Sequence, residues 1–129
     1  MTGSESRYEV APRKVEKPWG WELVWAETDA YVGKLLFVRA GEALSLQYHE
    51  QKDESWLVRE GCVRIEIGSL EGELETVQAE PGAAFHLVPG TVHRLTAVED
   101  TLVLEVSTPH LDDVVRVDDR YGREGTSAP

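Results

Sequence analysis

The feature that most constrains this chain is the spacing of its apolar residues, which repeats at every second position and builds no helical stripe. Val63, Ile65 and Ile67 alternate with Arg64 and Glu66, and Leu102, Leu104 and Val106 alternate with Val103 and Glu105. Successive side chains of a β-strand point to opposite faces, so these runs read as strands. From Trp19 onward, runs of about 5–8 residues are divided by Gly, Pro, Asp and Glu, the pattern of an all-β chain. The expected strands are Trp21–Ala26, Val32–Arg39, Leu44–Tyr48, Ser55–Arg59, Val63–Ile67, Leu74–Gln78, Ala84–Leu87, Val92–Val98 and Leu102–Val106. Strands this short close most economically as a small barrel or a double-sheet jelly roll, which also protects their edges. The 129 residues suit a single domain, and ~65–70% of the unfolded surface is buried at this size without disulfide staples. Residues 13–123 are read as the barrel, with loose polar tails at 1–12 and 124–129.

Charge narrows the function. A net charge of −11 argues against non-specific binding to nucleic acid or to an anionic membrane surface, though not against a small anionic ligand. The single Cys62 has no disulfide partner and reads as a buried, inert thiol. With one cysteine, no cleavable apolar segment at the start and no apolar run near ~18 residues, a cytoplasmic protein is expected.

The chemistry concentrates in Gly41 to Gly61. Gln47 and His49 share one strand face, Glu50-Gln-Lys-Asp53 reads as a turn, and the returning strand brings Glu54 beside His49. An amide oxygen, an imidazole and a carboxylate suit a borderline or hard divalent metal. His93, in the second glycine-bounded stretch, is the expected fourth donor. Alone, the hairpin of Gln47, His49 and Glu54 reads better as a solvated turn, and its spacing together with His93 and four glycines reverses that in favour of a metal site. Trp56 shares the parity of Glu54 and Ser45 that of Gln47, so both are expected to face the pocket. Among nearby cations Lys34, Lys52, Arg94, Arg116 and Arg120, a phosphate is assigned to Lys34 and Arg116. Trp19 and Trp21, with Trp25, are expected to pack the N-terminal strand more than to stack a ligand. His110 is placed on the surface.

These residues resemble the cupin superfamily, whose fold is the double-stranded β-helix, a jelly-roll barrel. Gly41, His49, Glu54 and Gly61 match its first motif, with Gln47 at the first histidine. Gly82, Gly90 and His93 match its second, with Val88 at the proline position. A closer resemblance, over residues 17–123, is to the cupin domain of type II mannose-6-phosphate isomerases, often fused behind a guanylyltransferase. It is carried by Lys17-Pro-Trp-Gly20 with Glu22, Leu44-Ser-Leu-Gln47, Pro89-Gly-Thr-Val-His-Arg-Leu95 and Asp112-Asp-Val-Val-Arg-Val-Asp-Asp-Arg-Tyr-Gly-Arg123. In that branch Gln is usual at the position of Gln47.

The resemblance implies a divalent metal on Gln47, His49, Glu54 and His93, with Zn²⁺ first and Mn²⁺, Fe²⁺, Co²⁺ or Ni²⁺ open. It also implies interconversion of mannose 6-phosphate and fructose 6-phosphate through an enediol(ate), with a sugar phosphate as the partner molecule. Glu105 and His86 are the alternative general bases, and a homodimer is implied because cupins commonly pair. The chain departs from the branch at Glu50, Gln51, Lys52 and Ser55, where further histidines and an arginine are common. A non-catalytic sugar-binding or regulatory cupin and an Fe(II) cupin dioxygenase are the rival readings.

Overall fold

The computed structural model describes residues 6–124. Eleven strands form it: β1 Arg13–Lys17, β2 Gly20–Glu27, β3 Val32–Val38, β4 Leu46–Tyr48, β5 Glu54–Glu60, β6 Val63–Gly68, β7 Glu75–Ala79, β8 Ala84–Leu87, β9 Val92–Ala97, β10 Thr101–Ser107 and β11 Val115–Asp118. They pair into two antiparallel sheets, ordered β1-β2-β3-β10-β5-β8 and β11-β4-β9-β6-β7, which face each other across one core as a jelly roll. There is no helix among the described residues, and none long and apolar enough to cross a membrane.

Period two places the core. Val63 and Ile65 point inward from β6, Leu95 and Ala97 from β9, Leu36 and Val38 from β3, Val58 from β5 and Val103 from β10; all are buried in one cluster. Burying such a side chain contributes ~1.5–3 kcal/mol. The inward positions divide along the barrel. In adjoining cross-strand rows, Val103 pairs with Leu36 and Val58, and Glu105 pairs with Lys34 and Trp56. One end of the interior is thus an apolar plug, and the other is lined with ionisable groups.

Four expectations need correction. Nine strands were expected, and β1 and β11 are additional; both are short and rich in charge, so their alternation is faint. The stretch from Gln47 to Glu54 is not a hairpin, because β4 and β5 lie in different sheets and residues 49–53 cross between them. The same holds for β8 and β9. Cys62 is half-buried rather than buried, with the Gln78 amide 3.5 Å from its sulfur. Of the tails, residues 1–5 and 125–129 lie outside the described residues.

Trp19 is in the core and Trp21 stacks on Phe37 with ring centres 5.4 Å apart, while Trp25 is 46% exposed. Gly41, Gly61, Gly82 and Gly90, which bound the two polar stretches, all have φ between 84° and 100°. A Cβ on Gly61 would lie 2.4 Å from both the Asp100 carbonyl oxygen and the Thr101 hydroxyl. Gly61→Ala therefore combines strain with a clash and is expected to cost ~1–3 kcal/mol. Thermal unfolding against Gly41→Ala, which has the same backbone sign but open space, separates the two effects.

Candidate metal centre

His49 directly follows β4 in one sheet, Glu54 is the first residue of β5 in the other, and His93 sits on β9 opposite Gln47. The crossover therefore delivers both His49 and Glu54 to one point beside His93. His49 Nε2 lies 2.7 Å from Glu54 Oε2, and His93 Nε2 lies 3.5 Å from the same oxygen. All three side chains are buried, and their donor atoms lie within 4.8 Å of one another.

Backbone carbonyls select the ring nitrogens that face this point. His93 Nδ1 donates to the Thr91 carbonyl at 2.9 Å, and His49 Nδ1 donates to the Asp113 carbonyl. The Nε2 lone pairs are then left facing the Glu54 carboxylate. Glu54 Oε2 and His93 Nε2 have no hydrogen-bond partner although both are buried. Acceptors facing one another in a dry site repel unless a positive charge lies between them. Bonds of ~2.0–2.2 Å from a divalent ion to N and O donors give ligand–ligand edges of about 3–3.5 Å, close to the observed separations. The residues fit a divalent cation.

A second group of charges backs the triad. Lys52 Nζ lies 3.3 Å from Glu105 Oε2 and 3.8 Å from Glu54 Oε1. The Trp56 indole donates to Glu54 Oε1 and Glu105 Oε1, both at 3.1 Å, and its ring meets His93 edge-on at 5.3 Å. Burial works to raise the pKa of Glu54, but its charged and hydrogen-bonding surroundings, Lys52 first, hold the carboxyl well below its usual range. For Lys52 burial works downward and is outweighed by Glu105 and Glu54, so the ammonium stays charged. Glu105 is pushed up by burial, against the pull of Lys52.

Gln47 and Ser45 line the same cavity as the triad, the Gln47 amide nitrogen donating to the Ser45 hydroxyl at 3.1 Å. Lys34, Arg116 and Trp56 also line it. Trp56, expected to meet substrate, instead grips the two carboxylates. His86 is corrected: it shares the outward row of β5–β8 with Ser55, is exposed, and pairs with Asp53 at 2.7 Å on the far side of the sheet. Its even spacing from Ala84 set the face. Arg94 is taken up by Glu66 and Asp118, and Arg120 by the Gly41 carbonyl, both away from the triad. His110 is half-buried in its loop.

Sequence reasoning missed four participants. Lys52 was discounted as part of a turn. Lys17 was overlooked, and it joins the expected Lys34 in pairing with buried Glu22, at 3.2 and 2.8 Å respectively. Arg123 lines the cavity and pairs with buried Asp119 at 2.9 Å. Asp113 receives the backbone N–H groups of Glu50, Gln51 and Lys52 at 3.0, 2.6 and 2.8 Å. Burial would raise its pKa, and those three donors lower it. The signal for Asp113 lay in the signature run beginning at Asp112, which pointed to kinship without pointing to a role.

A family model described as mannose-6-phosphate isomerase C-terminal matches residues 4–119. The chain is 37% identical over 115 residues to the mannose-1-phosphate guanylyltransferase ManC of Salmonella typhimurium, covering 86% of this chain and 23% of that protein. It is 32% identical over 117 residues to the xanthan biosynthesis protein XanB of Xanthomonas campestris, covering 86% and 24%. The chain thus spans about a quarter of the curated relatives it matches. Among solved structures, KdgF from Halomonas sp. aligns with a TM-score of 0.65 at 25% identity, over 78% of this chain and 89% of that one. The capsular polysaccharide assembling protein CapF of Staphylococcus aureus aligns at 0.72 and 14%, over 88% and 33%, which shows the shared fold.

His49→Ala and His93→Ala are expected to weaken divalent-metal binding to a similar degree. Asp113→Ala, which frees the 50–52 backbone, is expected to weaken it ~10–100-fold. Titration calorimetry with Zn²⁺ or Co²⁺ measures all three, and unchanged binding in the His93 variant means that the two stretches do not share an ion.

Proposed function

The chain belongs to the mannose-6-phosphate isomerase C-terminal family of cupin domains, and from that premise we propose that its buried centre interconverts mannose 6-phosphate and fructose 6-phosphate. The observation that carries this reading is a carboxylate held beside the triad without being part of it. Glu105 is buried, lines the same cavity, and is aimed by the Trp56 indole and the Lys52 ammonium. Aldose–ketose isomerisation needs a group to move a proton between C1 and C2, and that group must have an uncommitted lone pair. A carboxyl pushed upward by burial is better matched to that task near neutral pH than an ordinary one.

Gln47, His49, Glu54 and His93 would hold a divalent ion, Zn²⁺ by preference, with Mn²⁺, Fe²⁺, Co²⁺ and Ni²⁺ as alternatives. When bound, it supplies Lewis-acid polarisation of the sugar carbonyl and a template for the neighbouring hydroxyl. The remaining work belongs to side chains. Glu105 takes the proton from one carbon and returns it to the other, while Lys52 holds Glu105 in place and moderates its basicity. Lys17, Lys34, Arg116 and Arg123 make one wall of the cavity cationic within an acidic protein, which suits the phosphate of the substrate. Ser45, which lines the same cavity, would meet a sugar hydroxyl. His86, exposed on the outer face, has no part in this scheme.

The test is conversion of mannose 6-phosphate by the metal-loaded protein, followed by ³¹P NMR. Glu105→Gln is expected to lower kcat by ~10²–10⁴ while retaining its metal. Tight metal binding with no turnover on any hexose phosphate overturns the isomerase and leaves a sugar-binding cupin. Oxygen uptake with iron bound overturns it in favour of a dioxygenase.

A further inference from the structure

Two hollows on the surface of the barrel meet at Tyr31. The larger, about 470 Å³, is bordered by Arg13, Trp25, Glu27, Thr28 and Tyr31, none of which lines the metal cavity. The other, about 310 Å³, is bordered by Tyr31, Asp53, Ser55, His86 and Val106. Each is of a size that takes a small molecule. Trp25 is the fixed point of the first. The β2–β3 register shifts between Val24 and Ala26, leaving Trp25 without a partner in the ladder. An inserted residue of this kind re-aims its side chain. A Cβ on Gly33 would fall 2.8 Å from the indole, so the ring lies where only glycine leaves room. It is nevertheless 46% exposed. Tyr31, 55% exposed, stands on an equally fixed turn. The Thr28 hydroxyl accepts the amides of Ala30 and Tyr31, both at 3.1 Å, and the Thr28 amide donates to the Tyr31 carbonyl at 2.9 Å. Two aromatic rings are thus held out to water by ordered backbone.

We infer that this surface binds a neutral carbohydrate chain, with one sugar ring stacked on Trp25 and the next beyond Tyr31. Charge narrows the ligand first. Arg13 Nη2 lies 3.0 Å from Glu27 Oε1, and His86 Nε2 lies 2.7 Å from Asp53 Oδ1. The ionisable groups at each border answer one another, so neither hollow offers an anion a net charge. In a chain of net charge −11 that argues against an anionic ligand here. An apolar partner is disfavoured as well, because it would strip water from Arg13, Glu27 and Asp53 without replacing it. What remains is a set of planar donors and acceptors beside exposed rings: a guanidinium and a carboxylate next to Trp25, and an imidazole, a carboxylate and the Ser55 hydroxyl in the second hollow. A sugar carries the matching division, with apolar C–H bonds on the face of the ring and hydroxyls around its rim. The rings take the first and the polar pairs take the second.

Cellohexaose, an uncharged chain with equatorial hydroxyls, is the probe, and the indole N–H signals of the metal-loaded protein in a ¹H–¹⁵N correlation spectrum are the readout. The signal absent from Trp25→Ala identifies Trp25. That signal is expected to shift and saturate as the glycan is added, and to stay in place with inorganic phosphate. Trp25→Ala is expected to weaken glycan binding at least ~10-fold, followed by calorimetry. Its divalent-metal affinity is expected to match the wild type, which reports that the barrel is folded. Tyr31→Ala gives a second variant should Trp25→Ala fail to fold, with the same expected direction. No shift at Trp25 with cellohexaose or β-1,4-mannohexaose, an equal shift with inorganic phosphate, or undiminished glycan binding in the variants overturns the proposal. So does a Trp25 signal that moves on dilution of the protein alone, since a second copy of the chain then covers the ring. None of these readouts involves turnover, so the outcome is separate from that of the isomerase reading.

Discussion

Everything at the functional end of the barrel depends on keeping the Glu54 carboxylate charged while it is buried. A carboxylate taken out of water is several kcal/mol unstable unless cations and donors surround it. Here Lys52 and the Trp56 indole supply part of that, and the divalent ion that the triad fits would supply the rest. The compensation is shared with Glu105, so two carboxylates depend on one ammonium. That arrangement leaves the interior short of positive charge, which a divalent ion corrects. The apolar plug of Val63, Ile65, Leu95 and Val103 offsets this, since it supplies the stability that an ionic half-barrel lacks.

Much of this was legible in the order of residues. Period two in β6 and β10 identified strands, and parity put Trp56 beside Glu54 in the pocket, whereas Glu105 lies inside because the leucines of β10 face outward. His49, Glu54 and His93 were recognisable from spacing and from the glycines around them, all of which adopt the left-handed backbone. What was hidden is longer-ranged. Two residues that look like the arms of a hairpin belong to different sheets, and only the pairing of whole strands reveals it. Lys52 sits in a run of polar residues indistinguishable from a solvated turn until Glu105 arrives from more than fifty positions away. β1 is mostly charge, and in β11 Val115 and Val117 alternate with Arg116 and Asp118 over only four residues, with Arg116 buried and Val117 exposed, so the apolar pattern points the wrong way.

The Asp113 contacts illustrate how a loop can be both irregular and fixed. Its carboxylate accepts three successive backbone donors, and its own carbonyl orients His49. Thr108 adds two more bonds to Asp53, one through its hydroxyl and one through its amide. The segment between β10 and β11 is thus tied to the crossover at both ends, and Leu111 and Val114 from it close one side of the cavity. A polar loop of this kind is held by its hydrogen bonds where a strand would be held by its ladder.

Because the crossover carries its ligands from one sheet to the other, an ion seated there is a cross-link between the two layers, added to their connecting loops, hydrogen bonds and packing. His93 belongs to one layer and Glu54 to the other. Filling the site joins the layers at their ionic end, opposite the apolar plug, so the barrel is clasped at both ends. Emptying it releases one clasp only. Amide exchange at the mouth of the barrel would then follow metal availability while the hydrophobic end stays protected, giving one small domain two regions of different rigidity.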